Sequence, residues 1–172
     1  DPARASDTAF INYIEHLFLG LTDFDSETGA VVPELATSWD VSADGTVYTF
    51  TMRSDVTWTN SISVVTAYDV EYGVLRSLHP DTGSGYAWVL YVIENAQEYN
   101  EGSITDPAQV GVKALDDTHI RFTLTGPASY FPAIAGLWPA RPQPRWAIET
   151  HGSVWTDPAN IVTNGPYKLA HW

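Results

Sequence analysis

An α+β fold, mixed helix and sheet with antiparallel hairpins, is predicted by three features of this sequence. Two pairs of segments alternate apolar and polar residues on either side of a tight turn, the pattern of hairpins with one buried face. Other stretches carry apolar residues at helical spacing. Strands and helices do not follow one another in strict alternation, as a parallel sheet with crossover helices would require, and no internal repeat is present.

The elements follow in order. Phe10, Ile14, Leu17, Phe18 and Leu21 form a helical stripe with Gly20 near its end, which predicts a first helix from Phe10. TDFDSETGAVVPELA turns polar and is punctuated by Gly29 and Pro33, so it reads as a loop with at most a short hairpin. Trp39 to Ser42 and Val47 to Met52 flank Ala43-Asp44-Gly45, with Tyr48, Phe50 and Met52 on one face. Thr66-Ala67-Tyr68-Asp69 offers a capping box, and Val70, Val74 and Leu78 continue it as a second helix. A polar joint from His79 to Gly85 precedes one or two short helices between Tyr86 and Asn100.

Val110 to Leu115 and Ile120 to Leu124 form the second clear hairpin, joined through Asp116-Asp117 and broken by Pro127. Tyr130 to Leu137 reads as a short helix, Trp138 to Pro144 as an ordered loop, and Arg145 to Thr150 as a last helical turn. After the Gly165-Pro166 turn, Tyr167, Leu169 and His171 alternate as a strand entering a fold, up to Trp172.

Composition narrows the function classes. With 172 residues, 44% of them apolar, the chain can bury a real core. Eight Lys and Arg against 21 Asp and Glu give a formal charge of −13, which repels phosphate backbones and anionic headgroups, so neither nucleic acid nor a membrane surface is an expected partner. There is no cysteine, which excludes disulfides, zinc-thiolate sites and thiol nucleophiles. No apolar run approaches the roughly twenty residues of a membrane span, so the chain is not expected to be membrane-inserted.

No motif announces chemistry. Asp23, Asp25, Glu27 and Glu34 fall on positions of a calcium-loop template, but Thr28 occupies the place of its obligatory glycine, and a solvated acidic turn is the simpler reading. The five histidines have no metal-ligand spacing, Thr82-Gly83-Ser84-Gly85-Tyr86 is not a nucleophile elbow, and no phosphate-cradling loop is present. No catalytic residue, metal or cofactor is therefore expected. Trp39, Tyr48, Phe50, Trp58 and Phe122 sit at strand spacing and read as core. Tyr86, Trp88, Trp138 and Trp155 lie in loops or beside turns, where a ring can either pack the loop or meet a ligand.

The order of segments carries a resemblance. The runs DPARASDTAFINYIEHLFLGLTDFD, PELATSWDVSADGTVYTFTMRSDVTW, VTAYDVEYGVLRS, GVKALDDTHIRFTL and WTDPANIVTNGPYKLAHW resemble the start of an extracellular solute-binding protein of the family 5 type, nearest the oligopeptide binders. The likeness runs through nearly the whole chain. One departure lies between Trp58 and Thr66, where the family's usual glycine is missing and the link is one residue longer.

The resemblance implies a receptor for an ABC importer, placed outside the cytoplasmic membrane in the periplasm or on the cell surface as an anchored lipoprotein. Its fold would be the two-lobed periplasmic-binding-protein type II fold, with lobes that close on a peptide or other small-molecule ligand. Expected partners are the permease subunits and the second lobe of the parent chain, of which this would be an amino-terminal fragment. Residues 1–22 would open the ligand-binding lobe, 23–144 would form an additional subdomain, and 145–172 would return into the binding lobe. By position, Ser6, Asp7 and Thr8 match the first-lobe segment that lines the ligand, and Tyr86 is the best single side-chain candidate. Leu137 and Trp138 match a loop approaching the same pocket, and Asn164-Gly165 matches a structural turn. A carbohydrate-active or carbohydrate-binding domain is the alternative, suggested by the Trp residues and abundant carboxylates.

Overall fold

The computed structural model describes residues 1–60 and 62–171. Two features read from the sequence, Ser61 in the Trp58–Thr66 link and the terminal Trp172, lie outside the described residues. Helix α1 spans Thr8–Leu17, and strands β1 (Thr22–Phe24) and β2 (Val31–Pro33) form the short hairpin. They are followed by β3 (Ala36–Val41), β4 (Val47–Met52), helix α2 (Ala67–Leu78), α3 (Ala96–Asn100), β5 (Val112–Ala114), β6 (His119–Thr123), α4 (Phe131–Ala135) and α5 (Arg145–His151). Single 3₁₀ turns fill several joints, including Ala87–Leu90 and Trp138–Ala140.

Strands β3 to β6 make one antiparallel sheet in the order β3-β4-β6-β5. Its alternation is that of the sequence: Tyr48, Phe50 and Met52 on β4, Ile120 and Phe122 on β6, and Val112 and Ala114 on β5 are buried, while the intervening Thr and Arg residues face outward. Register brings Tyr48 opposite Phe122 and Phe50 opposite Ile120. Phe131 of α4 closes this face, its ring 5.0 Å from Phe122 and 5.2 Å from Tyr48. Helix α2 lies on the same core through Val70, Val74 and Leu78, all fully buried.

Helix α2 begins as the sequence predicts. The Asp69 carboxylate accepts from the Thr66 N–H at 2.8 Å and from its hydroxyl at 3.1 Å, and it also receives a hydrogen bond from the buried Trp58 side chain. Gly73 is required on this helix, because a Cβ there would collide with the Arg141 carbonyl oxygen. Through that approach the Trp138–Pro144 loop sits directly on α2.

Two expectations need correction. The first helix is shorter than the stripe suggested: it stops at Leu17, and Phe18 is already extended (φ −130°, ψ 130°). Tertiary contacts end it. The buried Arg141 guanidinium donates to the carbonyls of Ile14 and Phe18, the Gly165 N–H donates to Leu17 O at 2.8 Å, and Leu19 N–H donates to Asn164 Oδ1 at 3.0 Å. These partners take over the helix's last carbonyls and steer Phe18 into the core beside Trp155. The predicted strand after Pro166 is likewise absent among the described residues. Alternation alone makes no strand; a ladder partner is needed, and Tyr167 to His171 pair with none of the described strands.

Candidate functional site

The site is built from the first residues upward. Asp1 is gripped by Arg76 of α2 through two parallel hydrogen bonds, 2.8 and 2.7 Å long, and receives the Trp155 indole N–H at 3.1 Å. Arg76 also donates to Gln143 at 2.6 Å and lies over the Trp155 ring. Arg4 donates to the Thr82 carbonyl at 2.9 Å, and the Ala5 carbonyl accepts from Trp138 Nε1 at 3.1 Å. Residues 1–5 are thus fastened on both sides, which fixes where Ser6, Asp7 and Thr8 emerge.

All three emerge exposed. Asp7 is the N-cap of α1: its carboxylate accepts from Ala9 N–H at 2.8 Å, so the side chain is occupied by the helix and the backbone is what the segment can offer. The N–H groups of Ser6, Asp7 and Thr8 have no hydrogen-bond acceptor among the described residues. Ser6 passes beside Gly85, its Cβ 3.8 Å from the position a Gly85 Cβ would take. Next to that glycine stands Tyr86, half-buried, whose ring meets Trp138 edge-on at 4.8 Å and Trp88 at 6.2 Å.

Of the six predicted site residues, Ser6, Tyr86 and Trp138 are therefore brought together, and Asp7 and Thr8 follow Ser6 in the same exposed segment. Leu137 diverges. It turns into a separate apolar groove with Trp88, Val92, Tyr130 and Ile134. Tyr130 and Ala5 were missed by sequence reasoning; Tyr130 carried no signal beyond its place before an apolar helix, and Ala5 contributes only a carbonyl. Trp155, which the sequence left open between packing its loop and meeting a ligand, is buried at 2% exposure and serves the Asp1 clamp.

A cavity of about 360 Å³ lies along α1, between Phe10, Ile14 and Leu17, the 156–169 segment, and Asp1, Arg4 and Ala5 of the fastened chain start. None of the six predicted residues lines it. Its wall joins the apolar face of α1 to Asp1, Arg4, Thr156 and Asp157, whereas the convergent residues bring rings, a carbonyl and backbone donors together.

Two polar clusters lie outside this site. Asp116, Thr118 and His119 cluster in the β5–β6 turn, but carboxylate and hydroxyl both meet the same ring nitrogen, Nδ1, at 2.9 and 3.1 Å, so no relay through the imidazole exists. Hydrogen bonds from Thr118 N–H and His119 hold the Asp116 carboxyl at a pKa of about 2. In the acidic β1–β2 turn, Asp25 is taken by Thr28 N–H and hydroxyl at 2.8 and 2.7 Å, while Glu34 points away to the Gly20 N–H at 2.5 Å. The calcium template is thereby dispersed, and no group of three or more metal-ligating side chains occurs among the described residues. Burial pushes the Glu34 carboxyl up to about 7, against the pull of the nearby Arg141.

With this geometry in place, comparison decides the family. Residues 30–172 match the family described as bacterial extracellular solute-binding proteins, family 5 middle. The chain belongs to this family. The periplasmic oligopeptide-binding protein OppA of Escherichia coli is 40% identical over 176 residues, covering 100% of this chain and 31% of that protein. OppA from Burkholderia pseudomallei superposes with a TM-score of 0.94 at 35% identity, over 100% of this chain and 33% of its own. OppA from Listeria monocytogenes bound to peptide gives 0.95 at 28% identity, over 100% and 34%.

The chain thus spans about a third of the length of the relatives it matches. The α+β fold with antiparallel hairpins is that of the amino-terminal part of periplasmic-binding-protein structures. Family 5 is a family of solute-binding proteins rather than of enzymes, and the carbohydrate alternative finds no support among these relatives. No helix among the described residues is long and apolar enough to cross a membrane.

Proposed function

We propose that this chain supplies part of the first lobe of an extracytoplasmic receptor that hands peptides to an ABC importer. The observation that carries this reading is the convergence of Ser6–Thr8, Tyr86 and Trp138 on a fastened chain start. Backbone N–H groups in the Ser6–Thr8 segment hydrogen-bond the main chain of an extended peptide, while Tyr86 and Trp138 present ring surface beside it. Such contacts read the peptide backbone and leave sequence preference to other pockets. The relatives, oligopeptide-binding proteins of the periplasm, favour the same ligand class and location.

Residues 1–22 and 145–172 belong to the binding lobe and 23–144 to an additional subdomain. The pairing of Leu19 with Asn164 and of Leu17 with Gly165 supports joining the first and last of these segments. Lobe closure around the ligand needs a second wall, and the closed form is what permease subunits recognise.

Two titrations test the proposal. By calorimetry, mixed short peptides bind the 172-residue chain no tighter than millimolar; micromolar binding would remove the need for a second lobe. In NMR spectra at millimolar trialanine, the signals of Ser6, Thr8, Tyr86 and the Trp138 indole shift together. Silence at all four positions would sink the peptide-site assignment.

A further inference from the structure

The loop Trp-Pro-Ala-Arg-Pro-Gln-Pro, residues 138–144, forms a stiff bracket. Pro139, Pro142 and Pro144 fix φ along it, and every residue from Pro139 to Pro144 is buried. The bracket is bolted to α2. Gln143 N–H donates to the Asp69 carbonyl at 3.1 Å and its side chain to the Gly73 carbonyl at 3.3 Å, while the Arg141 carbonyl occupies the space that a side chain at Gly73 would need.

From this base the bracket reaches α1 at both ends. At the start, Trp138 Nε1 donates to the Ala5 carbonyl, and the Trp138 ring stands against Tyr86. At the far end, Arg141 Nη1 donates to the carbonyls of Ile14, at 3.4 Å, and of Phe18. Between these grips runs a helix of 10 residues, a rod about 15 Å long.

The chemistry of the second grip is unusual. Arg141 is only 3% exposed, and removing a cation from water is unfavourable where an apolar side chain could pack instead. Two features account for its charge. The carbonyls at the end of a helix concentrate partial negative charge, which a cation complements. Glu34, Glu15 and Asp23 also lie near enough to favour the charged guanidinium. Its Nε has no hydrogen-bond partner among the described residues, so the side chain is aimed at the helix carbonyls and not at a carboxylate.

We propose that Arg141 is a positioning residue for the peptide site: by holding the last carbonyls of α1 while Trp138 holds its approach, it sets the helix axis and so the place where the Ser6–Thr8 backbone donors meet a ligand. Arg141 acts through α1, from the end of the helix opposite to those donors. The inference rests on the peptide-receptor reading above for the identity of the ligand.

Amide exchange and NMR titration of the 172-residue chain with trialanine test it. Phe18 N–H, which donates to Ile14 O at 2.8 Å, reports the far end of α1, and Ile11 N–H, which donates to Asp7 O at 3.0 Å, reports its first turn. In Arg141→Met, exchange at both positions should quicken about tenfold relative to β4, the loss of one charge-assisted hydrogen bond at a helix end. The shifts that millimolar trialanine induces at Ser6 and Thr8 should shrink several-fold. Arg141→Lys, which keeps the cation without the fork of donors, should show both effects in weaker form, and it carries the test if the Met variant does not fold. Val112→Ala, on the buried face of β5, lowers overall stability without touching the bracket and should leave the trialanine shifts as they are. Quickening at Phe18 alone overturns the positioning role, as do trialanine shifts that Val112→Ala reduces equally. Trialanine that moves neither Ser6 nor Thr8 in the native sequence brings down the receptor reading, and the positioning role falls with it even where Ile11 responds to Arg141.

Discussion

Glu34 shows how one side chain can write a pH dependence into the fold. Burial raises its folded-state pKa to about 7 from an ordinary 4.5. Between those values the folded chain binds a proton that the unfolded chain has released, so Glu34's contribution to stability is fully present below about pH 4.5 and is lost as pH rises to about 7, levelling beyond. The loss is on the order of 2 kcal/mol. Urea denaturation at pH 5 and pH 8 should show this slope in the native sequence. Glu34→Gln, which keeps an acceptor for the Gly20 N–H without a charge, should flatten it; an unchanged slope would place the titration elsewhere.

At the scale of an element, α2 is the one most completely specified by its own residues. Thr66 and Asp69 form its start, and Val70, Val74 and Leu78 supply its buried stripe. Asp69 does more than cap, because the fully buried Trp58 side chain also bonds to it. Asp69→Ala should therefore cost about 2 kcal/mol, a cap plus a buried donor left without an acceptor, where a cap alone is worth about 1 kcal/mol. A shift of the urea midpoint corresponding to less than the cap value would show that Trp58 finds another partner. Helix α1 is the contrast. Its apolar stripe runs past Leu17, yet Arg141, Asn164 and Gly165, distant in sequence, end it there.

Across the whole molecule, Arg76 is the node that joins the chain's start, its middle and its last third. It holds Asp1 bidentately, donates to Gln143 and covers Trp155, with side chains only 14% and 15% exposed across the Arg76–Asp1 pair. Arg76→Gln leaves the Asp1 carboxylate in a half-dry site without its cation, and should cost about 2–3 kcal/mol. The same change should loosen Ser6–Thr8, read as faster amide exchange there than in α2. If exchange at Ser6–Thr8 does not change, the clamp does not position the peptide segment. The formal charge of −13 adds salt dependence to the surface as a whole but leaves this buried node largely unscreened.

The sequence by itself determined the hairpins, α2, the short turns and the aromatic core, because alternation and helical spacing are local and the register of Tyr48, Phe50, Ile120 and Phe122 follows from burying one face. It also indicated the Ser6–Thr8 segment, Tyr86 and Trp138, through the order of its segments. Only the tertiary structure decided where α1 stops, that Tyr167 to His171 pair with none of the described strands, that Trp155 is a clamp, and that Leu137 parts from Trp138 to enter a groove of its own. Each of those outcomes depends on a partner more than thirty residues away or on the lack of one, and spacing along the chain carries no record of which distant carbonyl, ring or guanidinium will arrive.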